Sequence, residues 1–177
     1  DLYDPLALAE TARRNLTLTV AVVRALTAEV RKRDAAAAAS VHWGATSQDL
    51  IDTAMVLQLG EAVPPLIDDL HRIVAALAGL ARSHRTTPIL GRTLLQPATP
   101  LALGQKIAGW ASDIDRATRR LEESFAETQV LQFGGASGSL SALGAKAEPV
   151  MKTLARQLGL ALPPAPWSCW EWVPSSA

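Results

Sequence analysis

Three short polar segments hold the residue types that could do chemistry. The first, His42-Trp43-Gly44-Ala45-Thr46-Ser47-Gln48-Asp49, places a histidine, two hydroxyls, an amide and a carboxylate ahead of a stretch with helical apolar spacing. As plain structure this is a helix start. A Thr46 or Ser47 hydroxyl accepts from a free backbone N–H, and Asp49 complements the positive helix end. The same hydroxyls and N–H groups also suit a substrate carboxylate. The two uses are compatible, one hydroxyl capping while the other binds. His42 adds a side chain of the type that can donate a proton, although an isolated histidine more often serves structure.

The second segment is Gly91-Arg92-Thr93-Leu94-Leu95-Gln96-Pro97-Ala98-Thr99-Pro100. It reads as a turn feeding a helix with Pro100 in its first turn. As a site it offers a bidentate cation in Arg92 and neutral donors in Thr93 and Gln96. The third, Phe133-Gly134-Gly135-Ala136-Ser137-Gly138-Ser139, invites comparison with a phosphate loop. No Lys-Ser or Lys-Thr follows, which excludes a P-loop and leaves a tight turn between helices.

Helices must position these segments. Leu6, Ala9, Leu16, Val20, Val23 and Val30 recur at helical spacing and predict one helix from Pro5 to about Arg33, weakened at Asn15 and the neighbouring threonines. A second helix is expected over about 48–61, broken or kinked by Pro64-Pro65, and a third over about 65–83. Residues 85–99 read as loop, followed by a long helix from Pro100 to about Gln132. Gly104 and Gly109 inside it imply close helix contact. A last helix runs from about Ser141 to Leu158 and stops at Gly159. The expected fold is all-α, a bundle of long helices.

Composition agrees. Hydrophobic residues make up 49% of the chain but aromatics only 5%, and Ala and Leu carry the apolar content, which favours helices over a β-sandwich. A formal net charge of +0 with no basic stripe argues against nucleic acid as partner. The single cysteine, Cys169, excludes an intrachain disulfide and a thiolate zinc cluster, and suits a cytoplasmic setting. No apolar run of bilayer length stands out, so no membrane partner is expected.

Taken in order, the three segments resemble the conserved regions of the fumarase/aspartase superfamily. His-Trp-Gly-Ala-Thr-Ser-Gln-Asp-Leu-Ile-Asp-Thr is similar to the first region and Gly-Arg-Thr-Leu-Leu-Gln-Pro-Ala-Thr-Pro to the second. Phe-Gly-Gly-Ala-Ser-Gly-Ser-Leu-Ser-Ala-Leu-Gly resembles the glycine turn after the long central helix. The resemblance runs from about Leu6 to Trp167, and Gln105-Lys106-Ile107-Ala108-Gly109-Trp110 fits the carboxymuconate cycloisomerase branch. Adenylosuccinate and argininosuccinate lyases carry a proton-donating histidine where this chain has Leu94, which separates it from them. His42 matches an active-site histidine of adenylosuccinate lyases and inherits a supporting acid or orienting role.

The resemblance implies an L-aspartase-like helical fold and a small polycarboxylate substrate closed to a lactone. It further implies substrate binding by Thr46, Ser47, Gln48, Arg92, Thr93 and Gln96, no metal or organic cofactor, and a homotetramer. It divides the chain into an N-terminal helical region (1–86) with the first loop, part of the central bundle (87–166), and an atypical tail (167–177). The superfamily's third region, a Gly-Ser-Ser-x-x-Met-Pro-x-Lys-x-Asn loop, is not found in the 177 residues, and three of five tryptophans crowd into the tail. The expectation is therefore a truncated and by itself inactive form. The alternatives are an adenylosuccinate-lyase-like enzyme and a non-catalytic helical fragment.

Overall fold

The structure, a computed structural model, describes residues 3–164; the tail 167–177 lies outside them. Five α-helices dominate: α1 (Pro5–Asn15), α2 (Leu18–Arg33), α3 (Ser47–Ser83), α4 (Leu103–Thr128) and α5 (Ala147–Leu158). Four two-residue strands, β1 (Pro88–Ile89), β2 (Arg92–Thr93), β3 (Gln96–Pro97) and β4 (Leu101–Ala102), lie between α3 and α4. The all-α expectation holds, and the details depart from it at five places.

The helix expected from Pro5 to Arg33 is two helices. Leu16 turns into the left-handed region at φ 55°, and the Thr17 side chain accepts from the Thr19 N–H to start α2. A threonine hydroxyl that caps competes with continuation of the helix, and here capping wins. The reverse happens at Pro64-Pro65, where α3 continues through both prolines as one 37-residue helix. The missing N–H groups leave the Gly60 and Glu61 carbonyls without intrahelical partners. Both prolines and Glu61 are exposed, so water can satisfy the freed carbonyls at that face. As one helix, α3 has the length to cross a bilayer and a mean hydropathy of 1.3 over an 18-residue window.

The loop expected over 85–99 contains two small antiparallel ladders, β1 with β4 and β2 with β3. β4 follows Pro100, so α4 begins at Leu103 and Pro100 is not in its first turn. Finally, α4 ends at Thr128 rather than near Gln132. Residues beyond it are extended, and Val130 makes a parallel bridge to Ala161. The expected last helix is shorter too: a 3-10 turn at Gly144–Lys146 precedes α5, which ends as expected with Gly159 at φ 69°.

By spatial contact the described residues form two compact units, 3–57 with 129–164, and 58–128. In the first, α1 packs against α2. The core there is Leu131, Phe133, Leu140 and Ala155, with Met151 and Leu154 of α5 packed against it. In the second, the C-terminal half of α3 and α4 run antiparallel. Gly104 lies against the Ala81 carbonyl, and His71 Nε2 reaches Glu122 Oε1 at 3.2 Å. Gly104, Ile107, Ala111 and Thr118 form the buried stripe of α4, at heptad-like spacing. Of the two α4 glycines expected to allow close contact, only Gly104 does so. A Cβ there would stand 2.4 Å from the Ala81 oxygen, whereas one at Gly109 would meet nothing within 4 Å.

Candidate active-site loops

In the first unit the site is built around a buried carboxylate. Asp49, 3% exposed, stands three residues after Thr46, and its Oδ2 accepts from the Thr46 N–H at 2.9 Å. This is the return half of a capping box. The same carboxylate reaches across the chain. Oδ1 accepts from Gly134 N at 2.9 Å and from the Gln132 Nε2 at 3.1 Å, and Oδ2 accepts from Gly135 N at 2.9 Å. One turn further along α3, Thr53 Oγ1 donates to the Gln132 carbonyl at 2.9 Å. A carboxylate with no cation beside it tolerates burial only when its lone pairs are filled. Here four N–H donors fill them.

The first and third polar segments are thereby fastened together. Gly135 sits at φ +70°, and a Cβ on it would lie 2.7 Å from the Gly44 carbonyl oxygen; a Cβ on Gly44, at φ +75°, would lie 2.8 Å from the Leu143 side chain. The Trp43 indole N–H donates to the Ala142 carbonyl at 3.2 Å, a second tie between the segments. The Gly134 and Gly135 N–H groups that could have met a substrate anion are used by Asp49.

Hydroxyls remain. Neither Thr46 nor Ser47 uses its hydroxyl in a hydrogen bond within the described residues, and both are half-buried. The expected hydroxyl cap is replaced by the Asp49 carboxylate. The Gln48 amide donates to buried Asp52, so it is engaged. His42 is half-buried and holds φ 60°, a left-handed conformation that is uncommon outside glycine and that gathers at functional sites. It lines a groove of about 910 Å³ whose other walls, including Leu26, Phe133, Val150 and Leu154, are mainly apolar, with Lys146 the one cation among the described residues that line it.

Arg92, Thr93 and Gln96 belong to the second unit. Thr93 pairs with Gln96 across β2 and β3, and all three side chains are exposed. Between them Leu94 and Leu95 take φ 45° and 64° and are 93% and 95% exposed. Two left-handed residues in succession make a type I′ hairpin turn, normally Asn-Gly. The ladder is anchored at Gly91, where a Cβ would lie 2.2 Å from the Thr99 carbonyl oxygen. Only glycine permits that approach, which fixes where Arg92 emerges.

Sequence reasoning missed Asp49 as the tie between segments, and with it Thr53 and Gln132. The Thr-x-x-Asp spacing signalled the local half of the cap. Nothing in the sequence signalled the partners more than eighty residues away.

The arrangement is that of a lyase-type helical fold. The lyase family model matches residues 4–169, and the chain belongs to that family, within the fumarase/aspartase superfamily. Among its relatives are the 3-carboxy-cis,cis-muconate cycloisomerases of Bradyrhizobium diazoefficiens (50% identical over 165 residues) and Pseudomonas aeruginosa (50% over 167 residues). The matches cover 93% and 94% of this chain but 37% and 36% of those enzymes. The crystal structure of 3-carboxy-cis,cis-muconate lactonizing enzyme from Pseudomonas putida superposes with a TM-score of 0.86 at 45% identity, over 93% of this chain and 38% of that one. The chain thus spans somewhat over a third of the length of these relatives.

Proposed function

We propose that the chain supplies substrate-binding loops of a cycloisomerase that closes 3-carboxy-cis,cis-muconate to 4-carboxymuconolactone. The observation that carries this reading is the pair of unengaged, half-buried hydroxyls of Thr46 and Ser47, held beside a glycine turn that Asp49 locks in place. The 50% identity to cycloisomerases supports it.

In this reaction a carboxylate oxygen of the substrate adds to a diene carbon of the same molecule, forming the C–O bond of the lactone. The displaced π-electron pair moves onto the conjugated carboxylate, and a proton then closes the adjacent carbon. Intramolecular attack asks mainly for a held conformation. The developing enolate-like charge asks for donors fixed in advance, which the hydroxyls of Thr46, Ser47 and Thr93 and the Gln96 amide can provide. Arg92 offsets the charge of a substrate carboxylate. His42 acts as supporting acid or orienting group. Leu94 cannot transfer a proton, which favours cyclisation over an elimination needing an acid at that place. The reading includes a homotetramer, a cytoplasmic setting, and no nucleic-acid, membrane, metal or organic-cofactor partner. The division into regions 1–86, 87–166 and 167–177 belongs to the same reading.

A second reading, a helical module without turnover of its own, is favoured by one feature: the Gly134 and Gly135 N–H groups are taken up by Asp49 and not left for a substrate anion. A chimera separates the two. Residues 4–164 replace the matching part of the Pseudomonas aeruginosa enzyme, and loss of the diene absorbance of 3-carboxymuconate is followed. Lactone formation that falls at least tenfold in T46V/S47A supports the proposal. No lactone from a folded chimera, or fumarate release from adenylosuccinate instead, overturns it.

A further inference from the structure

Between Asp69 and Asp113 the sequence contains no acidic residue, yet it contains Arg72, Arg82, Arg85, Arg92 and Lys106. The last four gather at one end of the second unit. Arg82 closes α3, Arg85 backs onto Gly104, Arg92 lies in β2 and Lys106 stands in the first turns of α4. Beyond that end Arg72 pairs with Asp69, Arg116 with Asp113 and Arg119 with Asp115, and Arg120 alone has no ion pair among the described residues. Among the described residues Arg82, Arg85, Arg92 and Lys106 form no ion pair. The first turn of α4 has no acidic residue either, so its positive end is not offset.

Arg92 and Lys106 line one groove of about 390 Å³, with Gln105 between them and Leu90 and Leu101 as apolar walls. Lys106 Nζ stands 5.6 Å from the centroid of the Trp110 ring, a cation–π contact that biases its position without neutralising it. An uncompensated field of one sign over a concave, partly apolar surface concentrates counter-ions there.

We infer that the Arg92–Lys106 groove is a binding site for a small organic polycarboxylate, with Lys106 and Gln105 as ligand-binding residues beside Arg92. Arg92 clamps one carboxylate through its planar fork, Lys106 attracts a second as a point charge, and the leucines contact the carbon skeleton. A site built from charge alone would take inorganic phosphate equally well; the apolar walls select the carboxylate with a hydrocarbon frame. The inference deepens the cycloisomerase reading, which places Arg92 against substrate.

The test is a titration of the chain with tricarballylate, read from the NMR shift of the Trp110 indole N–H, assigned by its loss in W110F. The expected result is a saturable shift, with the dissociation constant raised about tenfold in K106M and in R92M and unchanged in R119M. Inorganic phosphate is expected to bind at least tenfold more weakly. Unfolding midpoints of the variants, measured alongside, show that a loss of binding is not a loss of fold. No saturable shift, wild-type affinity in K106M, or phosphate binding as tight as tricarballylate would overturn the site. Tricarballylate binding at this groove together with an inactive chimera would leave the site standing and remove the cycloisomerase reading.

Discussion

Gly135 approaches Gly44 so closely that a β-carbon on the first would lie 2.7 Å from the carbonyl oxygen of the second. Real β-carbons do not come that near to an oxygen, so a side chain at 135 must move one segment off the other. Gly138, in the same turn at φ +76°, has open space around it. The two positions share the left-handed backbone and differ in crowding. Gly138→Ala should cost about 1 kcal/mol through backbone conformation alone. Gly135→Ala should cost roughly 1–3 kcal/mol more, as overpacking does. Urea unfolding of the two variants measures the difference. Equal losses would mean that the close approach contributes nothing.

Asp49 supports the same junction from the other side. Asp49→Asn keeps the size of the side chain but turns one acceptor into an NH₂ donor facing backbone N–H groups. Whichever way the amide is flipped, it meets at least one of Thr46, Gly134 and Gly135 donor to donor. A loss of about 2–4 kcal/mol is expected, with faster hydrogen exchange at the Gly134 and Gly135 amides. An unchanged unfolding curve would show that the carboxylate is not what joins the segments.

Much of this junction was legible only locally. The place of Asp49 at the helix start, the glycine turn and the helix stop at Gly159 follow from short-range chemistry and stand in the structure, whereas the expected hydroxyl cap does not form. Helical spacing predicts a helix as far as Gln132, whereas the chain leaves the helix after Thr128, and Gln129 and Leu131 hydrogen-bond to Ala161 instead. Tertiary partners decide such positions, and a sequence pattern does not contain them. Pro64-Pro65 shows the opposite error. The rule that proline ends helices is local, and α3 continues because its exposed side lets water replace the lost bonds. The site residues were legible as two groups, His42 with Thr46, Ser47 and Gln48, and Arg92 with Thr93 and Gln96, since each group lies within a few residues of sequence.

Gly109 gives a clean measure of intrinsic helix propensity. It is exposed within α4, and an added β-carbon meets nothing within 4 Å. Gly109→Ala should therefore raise stability by about 1 kcal/mol. Gly104→Ala, whose β-carbon would run into the Ala81 carbonyl oxygen and the Arg85 backbone, should lower it. Thermal unfolding of both reads opposite signs. A loss of stability in Gly109→Ala would show that this face packs against something.

Glu148 and Lys152 stand one turn apart on α5, 2.5 Å between Oε1 and Nζ. The Lys152 hydrogen bond, and after it the Lys152 charge, hold the Glu148 carboxyl below the ordinary glutamate range. A depressed carboxyl pKa adds stability above the unfolded-state value and loses it as pH falls through the folded one. The pair is exposed, so the effect on global stability should be small and screened by salt. It should appear as fraying of the first turn of α5 on acidification through and below the glutamate range, followed by NMR shifts of residues 147–150. In Lys152→Met the Glu148 titration should move up toward the ordinary value. If it stays where it is in the unsubstituted chain, the lysine is not its cause.

The hairpin tip is the place where local chemistry and sequence disagree most. Leu94 and Leu95 occupy the two central positions of a type I′ turn with φ 45° and 64°, and their side chains are almost fully exposed. Left-handed backbone costs a residue such as leucine roughly 1–2 kcal/mol, and an exposed side chain recovers none of it. Replacing the pair by Asn-Gly, the residues this turn prefers, should stabilise the second unit by about 1–2 kcal/mol while leaving the Thr93–Gln96 pairing intact. Chemical denaturation reads the stability, and cross-strand NOEs between residues 93 and 96 read the pairing. In the chimeric enzyme the same exchange should lower turnover if the leucines meet substrate. A gain in stability with no loss of turnover would leave them without a role in the reaction.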